Sequence, residues 1–527
     1  MSAGPGGGAR GYYSLGLFRT SLIAFAGGRL LSSLAGFVLF LLLARSLPTA
    51  LYGQYLTLIA TMELVLLYSS LGIPWIGIRY LPEFRMRASP QRLRRLLGTL
   101  AAFNALALAV ALAVVGPSAP WWMPWLNLDD ALAVLGPFLL ICAFEGVNRF
   151  ATAVVLESLL AQRLAQLVQI VRNLAFLGPL VVALAGGHPL GLNEVLRIEA
   201  VAAALAAALA CLAALALVRG IAPAAEDPDW PAPGRRAMAA IAWYNYSGNA
   251  VANLYSHSAL QLLANALLGP QVSALFGFAR ALADQVRRYL PSEFLLSVIR
   301  PMLVASYTAD GDHRQLNRRM LLGAKFSLVT SAPVLGVLIG AGPAALQMLG
   351  GGRMQDAYWM VLALLFVSFS RSHRSLLGLY VNCVQQTDIW LRASLACLCV
   401  LPLAFGLVQL GWGPFALVAA MLAEEVICTA CVLWLLERRR LGYSIAIGGL
   451  ARMAQATVAC TLATALTMWL GGPRMVPVAA IAGALACGAW LLWRPPLDDA
   501  EQALLNRLAG RRLFRRANAG ESSAAVH

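Results

Sequence analysis

Apolar runs of about 20 residues, the length that spans a bilayer, recur along the chain from Thr20 to Trp493. They predict roughly fourteen helical spans, near 20–44, 52–78, 96–116, 131–157, 165–186, 193–218, 239–268, 272–299, 321–341, 357–382, 391–410, 414–436, 452–470 and 476–493. The polar gaps between them alternate in charge. The gap after the second run carries Arg79, Arg85, Arg87, Arg92, Arg94 and Arg95. The next gap, 117–130, has no basic residue and holds Trp121, Trp122 and Trp125. Further clusters follow the sixth run (Arg219, Arg235, Arg236), the eighth (Arg300, Arg314, Arg318, Arg319) and the twelfth (Arg438 to Arg440). The other side has only Arg45, Arg353 and Arg474 in its short loops. Cytoplasmic loops carry the arginine and lysine excess, so both chain ends are expected in the cytoplasm.

Composition agrees. The 527 residues are 60% hydrophobic and 12% charged, against about 25% charged in soluble domains. The net charge of +16 follows from loop arginine and marks orientation; nucleic acid is not an expected partner. Lys325 is the only lysine. The cysteines fall mostly inside apolar runs, where a thiol packs as a small hydrophobe. Cys428 and Cys431 have the spacing of a metal pair but lack a second pair, so neither metal nor cofactor is expected.

A polar, proline-rich segment after the sixth run predicts a linker. The expected organisation is a cytoplasmic tail (1–19), a six-helix lobe (20–218), the linker (219–238), a second six-helix lobe (239–436), a final helix pair (437–493) and a basic tail (494–527). Within that tail, 498–516 reads as an amphipathic helix lying on the anionic leaflet. Leu51-Tyr52-Gly53-Gln54-Tyr55 and Leu275-Phe276-Gly277-Phe278 open spans six apart and suggest a repeat in the same orientation.

Charges inside spans are costly and mark protein- or water-facing positions. Arg29 lies in the first span, Arg280 with Asp284, Arg287 and Arg288 in the eighth, and Arg371, His373 and Arg374 in the tenth. These arginines either line a cationic cavity, pack in ion pairs or snorkel to the interface. Glu63 and Glu145 are candidates for binding a coupling ion or for neutralising an arginine such as Arg149. Glu424 and Glu425, being adjacent, are not expected to share one helix face. The seventh span carries Asn245, Asn249, Asn253, His257, Gln261 and Asn265 at steps of four. This winding polar stripe suits either interhelical hydrogen bonding or a passage for sugars, with Asn249, Asn253 and His257 at its centre. No phosphate-binding loop or catalytic constellation appears in the sequence. A transporter is therefore expected, not an enzyme.

Several motifs resemble the polysaccharide-repeat flippases of the multidrug/oligosaccharidyl-lipid/polysaccharide exporter superfamily. They are Gly28-Arg29, Ala44-Arg45-Ser46-Leu47-Pro48 followed by Tyr52-Gly53 and Tyr55, Leu71-Gly72-Ile73, Arg79-Tyr80-Leu81-Pro82-Glu83, and Leu349-Gly350-Gly351 with Ala357. The resemblance implies an all-α polytopic protein of two six-helix lobes plus a final pair, working by alternating access. It implies transport of undecaprenyl-diphosphate-linked oligosaccharide across a bacterial inner membrane, for lipopolysaccharide or exopolysaccharide synthesis. It also implies membrane lipids, H+ or Na+, and a polysaccharide polymerase or chain-length regulator as partners. A diphosphate suits Arg29, Arg280, Arg371 and Arg374, since guanidinium matches phosphate geometry. A peptidoglycan-precursor flippase and an ion-coupled multidrug extruder of the same superfamily are the alternatives.

Overall fold

The computed structural model describes residues 15–187, 190–221, 230–290, 307, 312–384, 386–443, 450–497 and 502, and within them the side chains of all but 15–26, 129–131 and 387. The expected N-terminal tail, the centre of the linker, the end of the eighth span and most of the basic tail helix lie outside these residues. Among the described residues the chain is all-helical. Twelve of the helices are long and apolar enough to cross a membrane. One of these stretches, 235–288, is 54 residues long and long enough for two passes. It is broken after Leu254 and kinked at Gly269, whose φ of 83° precedes Pro270. The chain is a multi-pass membrane protein.

It divides into two compact units, Met1–Ala274 and Leu275–His527. The first holds α1 (Leu15–Ser46), α2 (Thr49–Ser69), α3 (Ile73–Arg87), α4 (Pro90–Trp125), α5 (Leu135–Arg149), α6 (Gln162–Ala185), α7 (Leu192–Arg219), α8 (Arg235–Leu254) and the start of α9 (His257–Arg288). Here α1 and α7 pack on α6, α5 packs on α7, and α8 packs on α2 and α3. The division between the two units falls after Ala274. The linker's Trp230 is buried among Tyr80, Phe84 and Leu97, and its indole donates to Glu83 at 2.9 Å.

The arginine-rich segment after the second span is not a loop. It is the amphipathic helix α3, capped by Gly72 at φ 79°, a conformation that glycine tolerates without a Cβ clash. A Cβ on Gly72 would also meet the Ala242 carbonyl at 2.4 Å, so α3 and α8 meet backbone to backbone. Gly53 on α2 fits as closely against the Pro270 carbonyl of the α9 kink. At 36 residues, α4 exceeds the thickness of the hydrocarbon. Its far end exposes Trp121 and Trp125, as expected of an interfacial aromatic belt.

The second unit contains α10 (His313–Ala341), α11 (Pro343–Gly350), α12 (Tyr358–Cys383), α13 (Thr387–Ala396), α14 (Val400–Gln409), α15 (Phe415–Arg438), α16 (Leu450–Gly471) and α17 (Val476–Trp493). The final pair α16–α17 packs on α10. Small residues allow this: a Cβ on Gly336 of α10 would collide with the Cys460 side chain of α16, and one on Gly483 of α17 with the Thr464 hydroxyl of α16. Without water to drive helices together in lipid, such close approach of backbones supplies the van der Waals attraction. α12 falls short of the apolarity of a simple span because Arg371, His373 and Arg374 interrupt it.

Candidate functional site

Each unit holds its own cluster of charges inside the apolar spans. In the first unit, Arg149 ends α5 and is followed by a π-helical turn, Phe150–Leu156. Single π turns inside α-helices occur often at functional positions. The Arg149 guanidinium donates to both oxygens of Glu63, at 2.7 and 2.5 Å, and its Nε donates to Glu145 at 3.2 Å. Arg172 on α6 takes the other Glu145 oxygen at 3.0 Å and reaches Glu199 on α7 at 3.4 Å. The Tyr55 hydroxyl donates to the remaining Glu199 oxygen at 3.1 Å. Three carboxylates thus share two guanidinium groups, leaving the chain of contacts one negative charge in excess when all are ionised.

The network runs from surface to core. The side chains of Glu63 and Arg149 are each 41% exposed, whereas Glu145 and Glu199 are 8% and 4% exposed. Glu63 lies six residues, about 9 Å of helical rise, inside the end of α2. Its short side chain cannot reach the interface from there. Glu63 and Glu145 therefore both pair with Arg149. Arg172 and Glu199 were not singled out from the sequence. Each is a charge well inside a predicted span, and that same signal would have found them.

In the second unit, Arg371 and Arg374 lie one turn apart on α12 and face α15. Arg371 donates to Glu425 at 2.8 Å and to Glu424 at 3.2 Å. Arg374 donates to Glu424 at 2.8 Å and sits 3.1 Å from Glu425. All four side chains are mostly buried, Glu425 completely. Two expectations change. The adjacent acids do serve one neighbour, because both side chains curl toward α12. Arg371 and Arg374 form a charge-balanced quartet, so they add no net positive charge to their surroundings.

Arg29 and Arg280 are only partly buried. Arg29 lies within electrostatic reach of Glu157, and on α9 Asp284 pairs with Arg287 at 3.5 Å.

The polar stripe is divided by the break between α8 and α9. Asn245, Asn249 and Asn253 are partly exposed, and each side-chain amide donates to the carbonyl four residues earlier at 2.8 Å. His257 is also partly exposed. Beyond it the stripe turns inward. Gln261 is buried and donates to the Ser273 carbonyl and hydroxyl at 2.9 and 2.7 Å. Asn265 is buried and donates to the Leu126 carbonyl, while Asn127 donates back to the Asn265 carbonyl at 2.6 Å. The stripe thus combines partly exposed amides at one end with helix-binding contacts at the other. Asn245 donates to the Ile241 carbonyl of its own helix.

No family model and no curated protein matches this sequence. In three dimensions the chain is similar to the lipid II flippase MurJ in an inward closed conformation. That likeness covers 93% of this chain and 100% of that one, with TM-score 0.69 and 10% identity. It is also similar to an inward-facing MATE-family multidrug resistance transporter of the MOP superfamily (TM-score 0.59, 13% identity, 80% of this chain and 98% of that one). The MATE multidrug transporter DinF-BH in complex with R6G aligns comparably (TM-score 0.57, 17% identity, 83% and 99%). The fold is therefore similar to that of these solved flippase and MATE structures.

Proposed function

We propose that the chain is a flippase moving undecaprenyl-diphosphate-linked oligosaccharide repeat units across a bacterial inner membrane by alternating access. The observation that carries this reading is the Glu63–Arg149 pair. Charged side chains within a span that are nearly half exposed do not sit against hydrocarbon. They belong on a hydrated passage for polar cargo. Asn249, Asn253 and His257 add partly exposed polar surface suited to sugar hydroxyls. Arg29 and Arg280 are the candidate diphosphate contacts; Arg371 and Arg374, balanced by Glu424 and Glu425, hold α12 to α15. A cytoplasmic N- and C-terminus follows from the arginine alternation.

The excess carboxylate in the first unit is the candidate coupling device. Glu63 and Glu145 each have two-oxygen contacts to arginine. Glu199 has one arginine contact, at 3.4 Å, and a phenol, which makes it the natural holder of a proton or cation. The second reading is a peptidoglycan lipid-precursor flippase. Its support is the likeness to MurJ over 93% of the chain, where the MATE likeness covers 80%.

The test is reconstitution in vesicles with a fluorescent polyprenyl-diphosphate oligosaccharide, a peptidoglycan lipid precursor and a cationic dye offered separately, under imposed proton or sodium gradients. Gradient-dependent movement of the oligosaccharide, slowed at least tenfold by Arg149→Leu and made gradient-independent by Glu199→Gln, is expected. Movement of the dye alone would refute the proposal, and movement of the precursor alone would select the second reading.

A further inference from the structure

We propose that a groove between α2 and α4 of the first unit is a docking site for the polyprenyl chain of a lipid in the cytoplasmic leaflet. The proposal rests on the polyprenyl-linked cargo proposed above. The groove has a volume of about 640 Å³ and is walled by Leu64, Val65 and Tyr68 of α2 and by Phe103, Val110 and Val114 of α4. A second hollow, of about 610 Å³, shares Phe103 and Leu106 with the groove and continues it along α4 to Arg95.

The groove suits hydrocarbon and not a sugar. On α4, Phe103, Leu106, Val110 and Val114 are each more than half exposed. The hydroxyls in the walls donate to the protein's own backbone: Thr61 to the Thr57 carbonyl at 2.9 Å, Tyr68 to the Ala250 carbonyl at 3.2 Å and Ser69 to the Leu66 carbonyl at 3.2 Å. A polar cargo would therefore find no spare hydroxyl proton among these residues. A concavity between lipid-facing helices does not stay empty, because wall atoms without neighbours forfeit dispersion attraction. Water is a poor filler, since it needs two or more polar partners. A hydrocarbon chain restores the lost contacts.

Length separates a polyprenyl chain from an ordinary acyl chain. Arg95, Thr99, Ala102, Leu106, Val110 and Val114 recur at steps of three or four and so form one stripe along α4. From Arg95 to Val114 the helix rises about 28 Å, close to the roughly 30 Å of the whole hydrocarbon layer. The acyl chains of one leaflet reach only the midplane, roughly 15 Å. An occupant of the whole stripe must cross the midplane, which a chain of undecaprenyl length does. The head end is also marked. Arg95 is exposed and stands, with Arg92 and Arg94 in the same turn, on the side that the arginine pattern assigns to the cytoplasm. An interfacial guanidinium suits the diphosphate to which the chain is attached. The expected occupant is thus apolar over the thickness of the bilayer and anionic at its cytoplasmic end.

The full-length protein in lipid nanodiscs would carry a photoreactive benzoyl-phenylalanine at position 106, 110 or 114. Controls in the same unit carry it at 182 or 212, where Val182 and Leu212 are at least as exposed. The probe is labelled, sugar-free undecaprenyl diphosphate, whose retention is read by native mass spectrometry and whose position is read by cross-linking, both without turnover. Cross-linking at the three groove positions should exceed that at the controls several-fold. Unlabelled probe should displace it, whereas equimolar farnesyl diphosphate or dioleoyl phosphatidylglycerol should not. Val110→Trp, which fills the groove from an exposed position, should lower cross-linking at 106 and 114 several-fold. Arg95→Gln should lower it by a smaller factor, and tests the site if Val110→Trp does not fold. Retained probe that cross-links equally at groove and control positions, or cross-linking unchanged in both variants, would overturn the site and leave the cargo reading standing. Equal displacement by dioleoyl phosphatidylglycerol would overturn it by assigning the groove to bulk lipid, and cross-links between two copies of the chain by assigning it to a protein contact. Absence of any retained probe would overturn the polyprenyl cargo and the groove together.

Discussion

The Arg371–Arg374–Glu424–Glu425 quartet makes a quantitative prediction about stability. Replacing Arg371 by Met removes the guanidinium that serves Glu425 at 2.8 Å and Glu424 at 3.2 Å. Two buried carboxylates then share one arginine, and one negative charge is left without a counter-charge away from water. Breaking a buried pair in this way costs about 3–5 kcal/mol. Glu425→Gln alone should cost a similar amount by leaving an arginine in excess. The double variant, Arg371→Met with Glu425→Gln, restores balance between Arg374 and Glu424 at 2.8 Å and should cost only about 1–2 kcal/mol, because matched removal of a buried pair is often near neutral. The cycle would therefore show a favourable coupling of several kcal/mol. For a domain of this size about 2–4 °C accompanies each kcal/mol, so each single variant should lower the unfolding midpoint in detergent by about 10 °C and the double variant by a few degrees. If the single and double variants behave alike, or if Arg371→Met leaves both midpoint and membrane abundance unchanged while stopping transport, the quartet is not a closed structural unit. Arg371 would then be acting on the cargo, as the sequence first suggested.

Two further outcomes follow from the first unit. Gly53→Ala should reduce folded protein markedly, because the new Cβ would lie 1.9 Å from the Pro270 carbonyl; Gly27→Ala, where a Cβ meets nothing within 4 Å, should leave abundance unchanged in the same immunoblot. Cysteines placed at 249, 253 and 257 in a background without reactive thiols should react with a membrane-impermeant reagent, whereas cysteines at 261 and 265 should be protected. Protection at all five positions would remove the stripe from any hydrated path.

The long apolar helices were legible in the sequence. Each depends on the local match between a run of side chains and hydrocarbon, and no partner helix is needed to establish it. That charges such as Glu63, Glu145, Arg149, Arg371 and Arg374 must face protein or water was equally legible, because the cost of placing a charge in lipid is fixed by the medium. Which charges meet was not legible. Arg149 and Glu63 are 86 positions apart, and Arg371 and Glu425 are 54 apart. Only the packing of α2 on α5 brought Glu63 to Arg149, and only that of α12 on α15 paired Arg371 and Arg374 with Glu424 and Glu425. The stripe from Asn245 to Asn265 shows the same division. Its spacing of four is a property of the sequence, but its change from partly exposed amides to buried helix-binding ones was decided by the break after Leu254 and by the approach of the Leu126–Asn127 turn.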